Sequence, residues 1–175
     1  MRLTRFVLAA VLSVATLPAS AQAPAAAPLP AMKIPPTTSL TLVINGKSTV
    51  FTLAQIAALP HKTISVYNLH EKKNETYSGV PLAALLTANG APFTHQTQHD
   101  MLNSYITAKG TDNYTVIYST VEVYTPDYHS GDVIVADTRD GQPITTDGLR
   151  LVNSEDTHPM RWLHSVTTIT LTQTK

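Results

Sequence analysis

The stretch Tyr77-Ser-Gly-Val-Pro-Leu-Ala-Ala-Leu-Leu86, followed by Asn89-Gly90, decides the fold class. Gly79-Val80-Pro81 opens a helix, because proline suits a first helical turn and Leu82, Leu85 and Leu86 fall on one face. Asn89-Gly90 closes it, since glycine readily takes the left-handed conformation of a helix end. The helix is short, and the segments around it read as strands.

Upstream, Ser39 to Ile44 and Ser48 to Phe51 flank Asn45-Gly46, a hairpin signal. Thr52-Leu-Ala-Gln55 has the form of a capping box and starts a helix over Leu53 to Leu59 that Pro60 stops. Thr63 to Leu69 is β-rich, and His70 to Glu75 reads as the polar stretch that ends it. Downstream, Ala91 to Asn103 reads as an irregular loop. Ser104 to Ala108 and Tyr114 to Ser119 read as strands, with Val121 to Tyr128 a helical turn at most. Val133 to Asp137, Leu149 to Val152 and Ser165 to Leu171 are further strands, and Asp140-Gly141 is a tight turn. The expectation is an α+β domain, a mixed β-sheet with short helices.

Four strings resemble the sulfite oxidase family of molybdopterin-binding domains. They are Asn45-Gly46 with Phe51 to Pro60, Tyr77 to Leu86 with Asn89-Gly90, Val133 to Asp137 with Asp140-Gly141-Gln-Pro143, and Gly148-Leu-Arg-Leu-Val152 with Arg161-Trp162-Leu163. Together they cover most of residues 40 to 172. The resemblance implies a sulfite oxidase-like molybdopterin-binding fold, with molybdopterin as the possible cofactor. Enzymes of that family hold molybdenum through a cysteine about a dozen residues before the Gly-Val-Pro-Leu glycine, and a phenol does not replace a thiolate on a soft metal. Counting back from Gly79 lands near Tyr67, in Val66-Tyr67-Asn68, and the chain has no cysteine at all. It also lacks a glycine-rich turn between Val152 and Arg161, having Asn153 to His158 instead. The departures point away from the family's redox chemistry and leave no cofactor as the expectation.

The candidate cofactor- or ligand-binding residues are Tyr67, Asn68, His70, Arg161 and Trp162. Arg161 beside Trp162 suits a pterin phosphate and a stacked ring, while the plain alternative makes Trp162 a core anchor and Arg161 a surface residue. His70 with Glu71 suits acid–base work, yet neighbours on a strand point to opposite faces, which favours a solvated turn. Seven histidines (His61, His70, His95, His99, His129, His158 and His164) include Asp127 near His129 and Glu155 near His158, but none shows metal-site spacing. No Gly-x-Ser-x-Gly elbow and no glycine-rich phosphate cradle occur, so no catalytic residue is named.

At the N-terminus, Arg2 and Arg5 precede the apolar run Phe6 to Leu17, and Ala19-Ser20-Ala21 supplies a cleavage site. The run is about a dozen residues, against the roughly twenty that cross a bilayer. Residues 1–21 therefore read as a bacterial signal peptide, 22–38 as a disordered Pro/Ala-rich linker, and 39–175 as the domain. The protein is expected to be periplasmic or secreted, with no membrane span after cleavage.

Lysine and arginine together number 12, as do aspartate and glutamate, and there is no basic stripe for nucleic acid. Three functions remain open. One is a non-catalytic module binding a small-molecule ligand or a periplasmic protein partner. The second is an oxidoreductase whose pterin or metal is held without cysteine, and the third is a structural protein of the cell envelope.

Overall fold

A computed structural model describes residues 33–93, 97–124 and 132–174. The hairpin at Asn45-Gly46 joins β1 (Ser39–Ile44) to β2 (Lys47–Thr52), with positive φ at both turn residues as a type I′ turn requires. Thr52 then caps α1 (Leu53–Ala57): its hydroxyl accepts from Gln55 N, and the Gln55 side chain accepts from Thr52 N.

Next come β3 (Lys62–Asn68), β4 (Lys73–Pro81) and α2 (Leu82–Ala88), and Asn89-Gly90 ends the helix with Gly90 at φ 89°. Here the polar run before the helix departs from expectation. Lys73 to Val80 is a nine-residue strand with Pro81, and the helix begins only at Leu82. The polar side chains of this strand alternate with buried ones, so Glu75 and Tyr77 turn inward while Asn74 and Thr76 face water.

The segment expected to be irregular contains α3 (Gln98–Leu102), whose Met101 is buried in the core. After it run β5 (Ser104–Gly110), β6 (Thr115–Ser119), α4 (Thr120–Tyr124), β7 (Val133–Arg139), β8 (Gln142–Pro143), β9 (Arg150–Asn153), β10 (Leu163–His164) and β11 (Val166–Gln173). The fold is α+β with mixed sheet, as the sequence implies.

One sheet has the order β2-β1-β11-β5-β6, and β11 runs parallel to β1 while its other pairings are antiparallel. The second has the order β10-β9-β7-β4-β3, with β8 on β7. The main core takes Leu40, Leu42, Ile106 and Ile169 from the first sheet and Val80, Val135 and Leu151 from the second, closed by Ile56, Leu82, Leu85 and Leu86 of the helices. The opposite face of the second sheet carries a smaller cluster: Ile64, Val66, Tyr77, Ile134, Ala136, Val152 and Trp162. That second sheet is therefore covered on both sides, and its far face positions the site described below.

Residues 35–37, which composition places in the linker, lie against the domain. Thr37 is buried, its N donates to Asp147 O at 2.7 Å, and its hydroxyl donates to Val166 O at 2.8 Å. Thr111 Oγ1 donates to Pro35 O at 2.6 Å. Residues 1–32, which hold the expected signal peptide and the first part of the expected linker, fall outside the described residues. No helix among the described residues is long and apolar enough to cross a membrane.

Candidate functional site

Strands β3, β4, β7 and β9 bring a chain of polar side chains together on the far face of the second sheet. Asn68 Nδ2 donates to Glu75 Oε2 at 2.9 Å, and Tyr77 OH donates to the same oxygen at 2.7 Å. Arg150 NH1 donates to Tyr77 OH at 2.8 Å, and Arg150 Nε donates to Asp147 Oδ2 at 2.7 Å. Glu75 Oε1 faces Lys73 Nζ at 3.4 Å and Arg139 NH1 at 3.9 Å. Glu75, Tyr77, Asp147 and Arg150 are all buried. A buried charge is stable only when paired and hydrogen-bonded, and each of these is.

Burial pushes the Glu75 carboxyl up, but hydrogen bonds from Asn68, Tyr77 and Lys73 with the Arg139 charge outweigh it and hold it below its ordinary value. Asp147 follows the same balance: burial raises it, and His164 with the Arg150 guanidinium brings it below normal. Burial is also the main reason that Tyr77 is raised, so the phenol keeps its proton and donates it to Glu75.

In front of this chain lies a cavity of about 200 Å³ lined by Asn68, His70, Glu71, Arg139, Arg150, Pro159, Trp162 and His164. His164 Nδ1 sits 2.8 Å from Arg150 NH2 and 3.3 Å from Asp147. His164 Nδ1 thus lies between a donor, Arg150 NH2, and an acceptor, the Asp147 carboxylate, and its tautomer decides which of the two it serves. Of the five N–H groups of Arg150, those on Nε and NH2 are turned to Asp147 and one on NH1 to Tyr77, which leaves a second NH1 proton toward the cavity. Arg139 is half-exposed, and its pKa is raised: burial lowers it, but Tyr77 and Glu75 outweigh that. The lining accordingly carries two guanidinium groups and two imidazoles against one carboxylate, Glu71.

The five candidate residues separate. Asn68, His70 and Trp162 line this cavity. His70 and Glu71 lie in the turn after β3, where their backbone N–H groups donate to Asn68 Oδ1, so both side chains reach one cavity without sharing a strand face. Trp162 is buried, packs edge-on to Tyr77 at 6.0 Å, and donates from Nε1 to Asn153 O at 3.1 Å. It is both a core anchor and a cavity wall.

Tyr67 is the outward neighbour of Asn68 on β3 and lines a separate cavity of about 320 Å³ with Val66, Leu69 and Ser154 to Thr157. Arg161 lines neither. Its NH2 meets Glu122 Oε1 at 2.7 Å and also Asp156, and its guanidinium lies 4.6 Å from the centre of the Tyr118 ring. These carboxylates raise the Arg161 pKa, the hydrogen bond to Glu122 being the largest cause.

His95, His129 and Asp127 lie outside the described residues. Among the described residues no three His, Cys, Asp or Glu side chains are grouped to hold a metal ion. The sequence reading missed Glu75, Tyr77, Arg139, Asp147, Arg150 and His164 as one group. A local signal does exist for Arg150: a charged residue inside the apolar run Gly148-Leu-Arg-Leu-Val152 is one that needs a partner.

A second ion pair lies apart from the cavity. His61 Nε2 is 3.1 Å from Asp137 Oδ2, and Nδ1 is 2.6 Å from Leu59 O. Both partners only accept, so both ring nitrogens must carry hydrogen for both bonds to form. Burial lowers the His61 pKa, but the Asp137 hydrogen bond, the Leu59 carbonyl and the Asp137 charge together raise it above 6.5. A raised folded-state pKa stabilises fully below the unfolded value and loses that contribution as pH rises through the folded value. Thermal unfolding from pH 5 to 9 should therefore show a stability loss that sets in as pH rises past 6.5 and is reduced in His61→Gln.

No protein-family model and no curated protein matches the sequence. Among solved structures, the fold is similar to the sulfane dehydrogenase SoxCD from Paracoccus pantotrophus, with a TM-score of 0.57 and 18% identity. The match covers 76% of this chain and 37% of that one. The chain thus spans well under half of that protein's length, and what the two share is a fold distantly related to that of an oxidoreductase.

Proposed function

We propose that the protein is an exported, non-catalytic binding module on a sulfite oxidase-like fold, and that its ligand is a small, acceptor-rich anion held in the cavity of Arg139, Arg150, His164 and His70. The single observation that carries this reading is the pair of guanidinium groups, Arg139 and Arg150, in a lining whose one carboxylate is Glu71, backed by a buried chain of ion-paired groups. Asn68 braces the chain through Glu75, and Trp162 forms an apolar wall.

The residues present do not fit molybdopterin. The cavity, at about 200 Å³, is smaller than the roughly 300–1,000 Å³ of ordinary cofactor sites. No thiolate is available, and Tyr67, at the position where the resemblance implies the metal ligand, faces a different cavity. The likeness to a dehydrogenase therefore supports the fold and not its chemistry.

Two measurements test the reading. Mature protein taken from the periplasm should contain neither stoichiometric molybdenum nor a fluorescent pterin released on denaturation; finding both would restore the oxidoreductase alternative. Calorimetric titration with sulfate and with acetate should show saturable binding that Arg139→Ala weakens roughly 10- to 100-fold, as expected for loss of one charged hydrogen-bond donor. Equal affinity in wild type and variant would remove Arg139 from the site, and no binding of either anion would end the anion reading.

A further inference from the structure

A larger cavity, of about 580 Å³, lies elsewhere on the domain, between α1 and the β7–β8 turn. Leu53, Ala54 and Ala57 form one wall, and Pro143 with Ile144 form another. The third wall is the strap Pro36–Thr37, and it is fixed in place. Thr37 is held by its bonds to Asp147 and Val166, and Gly148 passes so close that a Cβ there would come within 2.3 Å of Thr37 O. The volume falls inside the roughly 300–1,000 Å³ of preformed small-molecule sites, which are mostly apolar with few polar groups.

The polar content of this cavity is specific. Asp137 is the one charged side chain in its lining, and its Oδ2 already lies 3.1 Å from His61 Nε2. Thr138 Oγ1 donates to Asp137 Oδ1 at 2.9 Å. An anion would find no opposite charge in this lining, and a cation would meet a carboxylate oxygen that His61 already engages. Each carboxylate oxygen can accept more than one hydrogen bond, so Asp137 retains acceptor capacity for a neutral donor.

We infer that this cavity is a second binding site, independent of the arginine-lined one, for an uncharged and mainly apolar small molecule bearing one O–H or N–H donor. The apolar body lies along Leu53, Ala54, Ala57 and Ile144, and the donor meets the Asp137 carboxylate. An organic anion would be repelled by the Asp137 carboxylate, and an organic cation would have to compete with His61 for its Oδ2.

The test is a fluorescence titration of the full mature chain with N-phenyl-1-naphthylamine, an uncharged aromatic amine with a single N–H. A saturable, blue-shifted enhancement is expected. Ala54 is solvent-exposed on α1, so Ala54→Phe fills the cavity without entering the core; it should weaken the probe at least tenfold and leave the thermal midpoint unchanged. Should that variant fail to fold, Ala57→Leu fills the same wall with a smaller side chain.

Competition then reads the ligand class: 1-octanol should displace the probe at lower concentration than octylammonium or octanoate. No saturable enhancement, or equal affinity in wild type and the filled variant, would overturn the site. Stronger displacement by either charged competitor would overturn the uncharged class.

Discussion

Replacing Arg150 by methionine is expected to cost the fold about 3–5 kcal/mol, the penalty for stripping one partner from a buried charge pair. Arg150 is the only cation among the fully buried groups of the chain Asn68–Glu75–Tyr77–Arg150–Asp147. Without it Asp147 loses the guanidinium that helps hold its carboxyl below the ordinary value, and Tyr77 OH loses a donor. A loss of that size would lower Tm by on the order of 10 °C in a domain of this length.

A double-mutant cycle separates the charge from the packing. Asp147→Asn on top of Arg150→Met should cost clearly less than Asp147→Asn alone, because the carboxylate it removes is by then unpaired. Strict additivity in urea unfolding would mean that Arg150 acts through its bulk. Acid sensitivity gives a second check. The depressed Asp147 pKa supplies stability present above the ordinary carboxylate value and lost as pH falls through the folded one, so part of the acid-limb slope should vanish in Arg150→Met.

What could be read from the sequence was what depends on near neighbours. Asn45-Gly46 and Asp140-Gly141 announce their turns because φ is positive at both residues of each, which few other pairs tolerate. Thr52 and Gln55 announce α1 because the capping box closes over three residues. Leu82, Leu85 and Leu86 announce α2 by their spacing.

Strand β4 was not legible for the opposite reason. Lys73-Asn-Glu-Thr76 has the composition of a surface turn, and what makes it a strand comes from afar: Thr76 N donates to Asp140 Oδ1, and Glu75 is buried only because Tyr77 and Asn68 satisfy it. The site suffers from the same distance. Tyr77 and Arg150 are 73 residues apart in the chain and 2.8 Å apart in space. Arg161, which its neighbour Trp162 makes conspicuous, is committed to Glu122 and Asp156 instead.

Gly79→Ala is expected to be at least as damaging as the loss of Arg150, and for a purely steric reason. A Cβ at Gly79 would lie 2.2 Å from Val135 O and 2.4 Å from Ala136 Cα, backbone atoms of the neighbouring strand that cannot rotate away. Overpacking a core side chain typically costs about 1–3 kcal/mol, and a clash between two strand backbones should exceed that range. Gly46→Ala is the control. It has nothing within 4 Å of a new Cβ, so only its positive φ is penalised, at about 1 kcal/mol.

The close approach marks a bulge that the cavity depends on. Ser78 pairs with Thr138 but Gly79 pairs with Ala136, which leaves Asp137 as the extra residue in β7. A one-residue slip in a strand moves every later side chain to the other face. Before the bulge, Ile134 and Ala136 face the smaller cluster with Tyr77; after it, Arg139 does so and pairs directly with Tyr77. Were the same residues paired without the bulge, Thr138 would sit opposite Tyr77 and Arg139 would point to the opposite face, away from Glu75 and from the donor-lined cavity. Gly79→Ala variants that still fold, by pushing β4 from β7, should therefore lose anion affinity together with stability. A variant that kept full affinity for sulfate or acetate despite a lowered Tm would show that the bulge serves packing alone.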